Sequence, residues 1–377
     1  MVTYQEIQKC DPTAAKLLLL LAFFDNRDIW YELLRSGLNC SGLPPWFEMA
    51  VSSKLVFKTK AKALVGFSLV ETKQQGGSYT LHPAVQDWCH YVADNNNLTS
   101  QLHELALMSV GYMVPHKSER EYAEIQQRLL PHANYLISRE RDFRPNDTID
   151  MWNVSNRIGN LYSDQGKLRE AEKMYQRALA GYKKALGPDH PSTLDTVNNL
   201  GFLYFNQGKL IEAEEMYQRA LTGREQALGP GHPSTLDTVH NLGSLYSNQG
   251  KLIEAEEMYQ RALTGREQAL GPGHPSTLNT VNNLGVLYSN QGKLIEAEEL
   301  YQRALAGKEK ALGPAHSETR AAANNLLPLA ALHANQDTPC HTSTVSPASP
   351  DLPLNTRGDD STKHRRKRDI LYSFLHR

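Results

Sequence analysis

The chain has only four cysteines in 377 residues, Cys10, Cys40, Cys89 and Cys340, with no C-x-x-C pair and no spacing that suits a zinc site or a disulfide framework. Reduced thiols are expected, as in a cytoplasmic protein. Charge of neither sign is in excess. Against 41 Asp and Glu stand 40 Lys and Arg, and the net charge of −1 removes any general attraction to nucleic acid or anionic lipid. Long apolar runs are lacking too. Leu17–Phe24 is too short to cross a bilayer and is closed by Asp25; it also lacks the cationic start and small-residue cleavage site of a secretion signal. The N-x-S/T triplets opened by Asn39, Asn97, Asn146 and Asn153 mean little without secretion. No G-x-x-x-x-G-K-[ST] loop occurs, and no Rossmann-type glycine cluster follows a strand. Without backbone amides to cradle phosphate, nucleotide hydrolysis by this chain alone is not expected. No nucleophile–base pairing stands out. Neither a catalytic residue nor a cofactor nor a metal is expected.

What the sequence does have is a period. Gln-Gly-Lys begins at Gln165, Gln207, Gln249 and Gln291, a constant step of 42 residues. Around it recurs N-N-L-G-x-L-Y-x-N-Q-G-K-L-x-E-A-E-x-x-Y-Q-R-A-L, followed by L-G-P-x-H-P-S-T-L. Four units run from about Asp150 to Leu312, and a fifth starts at Asn324 and breaks down. Each holds two helical patterns. In the second unit Leu194, Val197, Leu200, Gly201 and Tyr204 mark one helix face, Gln207-Gly208-Lys209 the turn, and Ala213, Met216, Tyr217, Ala220 and Leu221 a second face. Gly229-Pro230 should end that helix through a left-handed glycine. Ser234 with Asp237 should cap the next one. A helix pair of this size cannot bury its apolar face alone, so the units must stack.

These residues resemble the tetratricopeptide family through L-G-x-x-Y and the alanine, tyrosine, alanine series. The 42-residue step with E-A-E-x-x-Y-Q-R-A-L and L-G-P-x-H-P is similar to kinesin light chain repeats. The resemblance implies a mainly α fold, a right-handed superhelix of helical hairpins, and a protein or peptide partner held in a concave groove. The expected organisation is residues 1–97 as a small α/β domain, 98–149 as linker helices, 150–334 as four full repeats with a capping helix, and 335–377 as a disordered basic tail.

The repeats are nearly identical, which makes their differences informative. The 42-residue units starting at Asn198 and His240 differ at four places: Asn198 against His240, Phe202 against Ser244, Phe205 against Ser247, and Asp237 against Asn279. These are positions 5, 9, 12 and 2 of the first helix, offsets that fall on one stripe. The outer second helix does not vary: Lys209, Glu212, Glu215, Gln218 and Arg224 recur at Lys251, Glu254, Glu257, Gln260 and Arg266. In the family this stripe lines the ligand groove. The groove is therefore expected to comprise Asn156 and Asn160, then Asp195, Asn198, Phe202, Phe205 and Asn206, then Asp237, His240, Ser244, Ser247 and Asn248, and finally Asn279, Asn282, Val286, Ser289 and Asn290. Asparagines can donate and accept toward an extended backbone, and Phe202 and Phe205 would supply an apolar anchor. His190, His232, His274 and His316 recur once per unit, too far apart to share one metal ion.

The first 150 residues lack the period. Lys16–Arg35 reads as one helix, Pro45–Val56 and Ala61–Gly66 as two more, and Phe67–Thr72 with Ser78–His82 as a hairpin. A helix over Ala84–Ala93 should bury Trp88. Helices followed by a hairpin are the layout of a winged helix. Lys16–Leu34 and Tyr79–Trp88 resemble the winged-helix segment of NB-ARC signalling ATPases, in particular fungal ones that end in light-chain-type repeats. That family senses nucleotide through the histidine of a Met-His-Asp motif, and Leu81-His82-Pro83 keeps only the histidine, His82. The expected helix over Ala84–Ala93 carries Asp87 and no Lys or Arg, which disfavours DNA. Arg128-Leu129-Leu130-Pro131-His132 leads into the repeats. In the tail, His364-Arg365-Arg366-Lys367-Arg368 is compatible with nuclear import or a nonspecific phosphate contact.

The function expected is a non-catalytic, ligand-sensing module of an NB-ARC-type innate-immunity or incompatibility protein, with an NB-ARC ATPase domain in a longer chain. A kinesin-light-chain-like cargo adaptor is the alternative. That adaptor would require a heptad coil to grip a motor chain, and no sustained heptads precede the repeats.

Overall fold

A computed structural model describes residues 2–73, 77–116, 121–139 and 147–336, with side chains omitted for 2, 3 and 329–336. Of the expected tail, residues 335 and 336 fall within the last helix, and the rest, with the basic run, lies outside these residues.

The chain opens with α1 (Val2–Cys10) and α2 (Pro12–Leu21). Asp11 starts α2 by accepting the Ala14 N–H at 3.0 Å, with Pro12 preset at the first helical position. Leu17–Leu21 are all buried, so α2 is covered on every side. The helix expected over Lys16–Arg35 does not persist. After Leu21 the polar stretch Asp25–Asp28 turns the chain: Asp25 accepts the Arg27 N–H at 3.1 Å and Asp28 adopts a φ of 59°. Ile29–Trp30 then form a short strand, β1, before α3 (Tyr31–Ser36). The next boundary also differs from expectation. α4 is Pro45–Val51 and α5 is Lys54–Gly66, because Ser53 accepts the Val56 N–H and starts a new helix there.

β2 (Val70–Thr72) and β3 (Ser78–Leu81) pair antiparallel, and β1 adds to the other side of β3, giving the order β1-β3-β2. Residues 74–76 of the expected turn lie outside the described residues. α6 (Pro83–Asn95) follows; its Trp88 is half-buried against Tyr4, with ring centroids 5.2 Å apart. Two longer helices, α7 (Thr99–Met113) and α8 (Tyr122–Arg139), complete this region. α8 is clamped to the sheet. The Arg128 guanidinium lies 4.0 Å from the Trp30 ring centroid and bonds Asp28 at 2.8 Å, while His132 faces the Asp28 carbonyl at 3.3 Å.

Eight helices then alternate as hairpins: α9 (Ile149–Asp164) with α10 (Leu168–Ala185), α11 (Pro191–Asn206) with α12 (Leu210–Leu228), α13 (Pro233–Gln249) with α14 (Leu252–Leu270), and α15 (Pro275–Asn290) with α16 (Leu294–Leu312). α17 (Ser317–Gln336) starts a further unit. The turn needs glycine: Gly208 has a φ of 75°, which lets the Lys209 N–H close back onto the Tyr204 carbonyl at 2.9 Å. Gly201 is needed for another reason, since a Cβ there would sit 2.7 Å from the Tyr217 ring. Each unit hands its apolar face to the next. Ala213 and Tyr217 pack on Leu242 and Leu245, and Ala255 and Tyr259 on Leu284 and Leu287. The expected Ser234 cap is corrected: His232 occupies the cap position, and its Nδ1 accepts the Ser234 N–H at 3.2 Å.

Candidate functional site

A groove of about 990 Å³ runs along the first helices of the units. α9, α11 and α13 and the start of α15 line one side, and Tyr112–His116, at and just beyond the end of α7, with Tyr122, the first residue of α8, line the other. It gathers Asn156, Asn160, Asn198, Phe202, Asp237, His240 and Asn279. Phe202 keeps 38% of its surface exposed. Asp195 lines a smaller adjoining cavity of about 260 Å³ with Arg157, Tyr182 and Ser192. Phe205, Asn206, Ser244, Ser247, Asn248, Asn282, Val286, Ser289 and Asn290 do not line either cavity. Phe205 instead packs against Tyr217 and Leu245, and Val286 against Ala297 and Tyr301. The Ser244 hydroxyl donates to the His240 carbonyl and accepts from the Tyr259 hydroxyl at 3.0 Å. Positions 9 and 12 thus point partly into the hairpin rather than wholly into a groove.

Position 5 has a structural duty that spacing did not reveal. Its side chain accepts from an asparagine of the next unit: Asn199 to Asn156 at 3.4 Å, Asn241 to Asn198 at 3.4 Å, and Asn325 to Asn282 at 3.1 Å. His240 keeps the rung, its Nε2 facing the Asn283 amide nitrogen at 3.2 Å and its Nδ1 the Thr280 hydroxyl at 3.3 Å. With Nε2 accepting from Asn283, the ring proton belongs on Nδ1. Tight packing, with the Arg266 charge adding to it, pushes the imidazole pKa down to about 3, so the ring is neutral at pH 7. Asn198 is only 9% exposed. The asparagines read as peptide binders are therefore first of all links between units, and only the unused half of each amide faces outward.

Position 2 varies for a second reason internal to the fold. Arg224 and Arg266, each 4% exposed, reach from the second helix of their own unit into the next. Arg266 donates to Asp237 at 2.5 Å, to Thr280 at 2.6 Å and to the Ser276 carbonyl at 2.9 Å, and Arg224 repeats the pattern with Asp195, Thr238 and Ser234. In the fourth unit Asn279 replaces the aspartate, Lys308 replaces the arginine, and Glu318 of α17 pairs with that lysine at 3.5 Å. Burial lowers the Lys308 pKa, opposed by Glu318. In the first unit the pair is Asn153 with Tyr182. The aspartate-to-asparagine change follows a moved counter-ion, which is a packing relation. Sequence comparison missed it because Arg224 and Arg266 were read as invariant outer residues. Lys308, at the same position, was the available signal.

The unit histidines are caps. The Nδ1 atoms of His190, His232 and His274 each accept the N–H two residues on at 3.2 Å, and His316 does so at 3.3 Å. His82 is exposed and makes the same bond to Ala84 at 3.2 Å, again before a proline. Burial pushes the Cys40 and Cys89 thiols up to about 12, so neither is a ready nucleophile. Among the described residues no group of three or more His, Cys, Asp or Glu could hold a metal ion, and no helix is long and apolar enough to cross a membrane.

Stacked helical hairpins with a conserved turn and a shared groove define the tetratricopeptide class, a protein-interaction scaffold. Residues 147–226, 193–268, 235–310 and 276–327 match the tetratricopeptide repeat family, so the span 147–327 consists of such repeats. Residues 5–97 match a domain of unknown function, DUF7779. A "Nucleotide-binding leucine-rich repeat (NLR)-like protein" of Hyaloscypha variabilis is 32% identical over 198 residues, 52% of this chain and 18% of that protein. This chain thus spans less than a fifth of that relative. Among solved structures, nearly identical TPR-like repeats of a protein described as a kinesin light chain from Podosopora anserina are similar at 24% identity and a TM-score of 0.42, covering 57% of this chain and 97% of that one. BtubC (BKLC) from P. vanneervenii is similar at 19% identity and a TM-score of 0.41, covering 72% and 94%.

Proposed function

We propose that this chain is a non-catalytic peptide-recognition module and forms the ligand-sensing part of a nucleotide-binding signalling protein of the NB-ARC type. The observation that carries the recognition reading is the groove in which Phe202 stands exposed beside Asn156, Asn160 and Asn198. An exposed aromatic on a rigid wall contributes affinity at little entropic cost, and amide side chains orient a backbone. The receptor context is supported by the NLR-like relative of Hyaloscypha variabilis and by the helical domain with a β1-β3-β2 sheet in front of the repeats, which we read as a winged-helix-like element. The chain is then a cytoplasmic sensor, and the ATPase belongs to a longer protein.

The recognition reading is tested with a phage-displayed random peptide library selected on the full chain. Phe202→Ser should weaken the selected peptides by about 1–3 kcal/mol while the helical circular dichroism is kept. Equal binding by the variant would remove the groove from consideration. Sequencing the transcript upstream of Met1 tests the receptor context, where a phosphate-loop domain in frame is expected and a heptad coil would instead make the chain an adaptor.

A further inference from the structure

The second helices of the repeats carry a row of exposed side chains that the groove does not use. Ile211, Ile253 and Ile295 occupy the same place in the first turn of α12, α14 and α16, and keep 73%, 74% and 66% of their surface exposed. Side chains so exposed add little to the core. The fold does not ask for them either, since Arg169 holds the same position in α10 and is exposed there. The row is continuous from unit to unit. Lys251, two residues before Ile253, bonds Glu214, three residues after Ile211, at 3.3 Å, and Lys293 repeats this with Glu256 at 3.4 Å. Each isoleucine therefore lies close to the carboxylates of the unit before it.

Charge along the row has one sign. Glu212 and Glu215, Glu254 and Glu257, and Glu296 and Glu299 follow each isoleucine by one and four residues, on the same side of the helix. All six are exposed, and among the described residues none meets a lysine or arginine within ion-pair distance. The nearby Lys251 and Lys293 are already taken by Glu214 and Glu256. In the first unit the sign turns over, because Lys173 stands where Glu215, Glu257 and Glu299 stand later. The apolar and acidic row is thus confined to the second, third and fourth units.

We propose that this outer edge is a docking surface for a basic amphipathic segment of another protein. Its apolar side chains cover Ile211, Ile253 and Ile295, and its lysines or arginines meet the glutamates beside them. Charge selects this occupant. Anionic lipid and nucleic acid are repelled by the unpaired carboxylates. A second copy docked edge to edge would set six carboxylates against six. A purely charged polycation would leave the isoleucines in water. None of these residues lines the groove, so the outer edge and the groove can be occupied at once.

The experiment titrates two labelled helical peptides, one of leucine and lysine and one of leucine and glutamate, onto the full chain by fluorescence polarisation. The basic peptide should bind about tenfold more tightly or better. Ile211→Gln, Ile253→Gln and Ile295→Gln together should weaken it about tenfold or more. Glu215→Lys, Glu257→Lys and Glu299→Lys together should do the same. Arg169 and Lys173 show that the hairpin accepts polar and basic side chains at both positions, and helical circular dichroism checks that each form is folded. Raising salt from about 0.05 to about 0.5 M should weaken the basic peptide several-fold, as expected for exposed charges. Phe202→Ser should leave its affinity unchanged. If the charge-reversed form loses the peptide but the glutamine form keeps it, the isoleucines take no part and the docking surface falls. Loss with Phe202→Ser alone places the peptide in the groove and also overturns it. If the full chain sediments as a dimer that the glutamine form abolishes, the occupant is a second copy instead. A basic peptide that binds no better than the acidic one removes the surface and leaves the groove reading untouched.

Discussion

In α2 five consecutive leucines are buried, whereas in α12 the buried positions are Ala213, Tyr217, Ala220, Gly223 and Arg224, spaced by a helical turn with the rest exposed or half-exposed. The two helices sit in different kinds of core. α2 joins a single cluster that draws Phe47, Leu64, Leu81, Leu102 and Leu129 from across residues 7–136 and continues through the first unit to Leu200 and Leu203 of α11. α12 shares a small cluster with its sequence neighbours, chiefly Leu242 and Leu245 of α13, with Phe205 of α11 and Met258 of α14 at its edge. The first region depends on contacts far apart in sequence and the second on contacts one unit apart. Damage should therefore spread through the first and stay local in the second.

The sharpest way to break this contrast is to make the same kind of cavity in each region. Leu18→Ala should cost about 2–5 kcal/mol and speed hydrogen exchange across α2, the sheet and α7 together. Leu284→Ala, a residue 4% exposed between α14 and α15, should cost a similar amount but raise exchange chiefly in α14–α16. If both variants loosen the whole chain equally, the repeats are not a locally coupled array.

The same contrast explains what could be read in advance. The repeat helices, their turns and their period were legible because an amphipathic helix writes its spacing into the sequence and four copies repeat the message. The helix end at Leu21 was not, because five consecutive buried leucines show no polar face to mark where the helix stops; the break at Ser53 was not, because it rests on a single serine cap between two short helices. Within the groove, the stripe through Asn156, Asn198, Phe202 and His240 was legible as a pattern of variation. Its partners were less so. Met113 and Val114 lie outside the period, and no local rule brings them to the repeats. The link between Asp237 and Arg266 crosses from one helix to another, so spacing along one helix could not show it.

That link allows a finer test within the repeats. In the third unit the set is Asp237, Arg266 and Ser276; in the fourth it is Asn279, Lys308 and Glu318. The Asp237→Asn variant leaves a guanidinium that is 4% exposed without its carboxylate. A fully buried broken pair would cost about 3–5 kcal/mol. Here the aspartate side chain is 56% exposed, so water takes over part of its role and a loss of about 1–3 kcal/mol is expected. Adding Arg266→Lys and Ser276→Glu transplants the fourth unit's arrangement and should recover most of the loss in urea midpoint. Strict additivity of the three changes would show that the residues do not act as a set.

The smallest effect at neutral pH is expected from His240→Asn, which restores the asparagine rung of the other units and should shift stability by no more than about 0.5 kcal/mol at pH 7. Its signature lies in acid. In the native protein the imidazole takes a proton only near pH 3, held down by burial and the Arg266 charge, whereas the unfolded chain takes it up near 6.5. Below about pH 6.5 the unfolded state binds more protons, so the stability associated with the neutral ring is complete above that pH and is lost as pH falls toward 3. His90, whose pKa is pushed down to about 4 chiefly by burial, has the same sign in the first region. The wild-type chain should therefore lose stability in acid through both rings, and the difference between wild type and His240→Asn isolates the repeat's share. Urea titrations at pH 7, 5.5 and 4.5 should show the gap opening as pH falls. Parallel curves would mean that the ring at position 5 titrates as if in water, and that its packing on Tyr259 and the Arg266 charge do not hold it neutral.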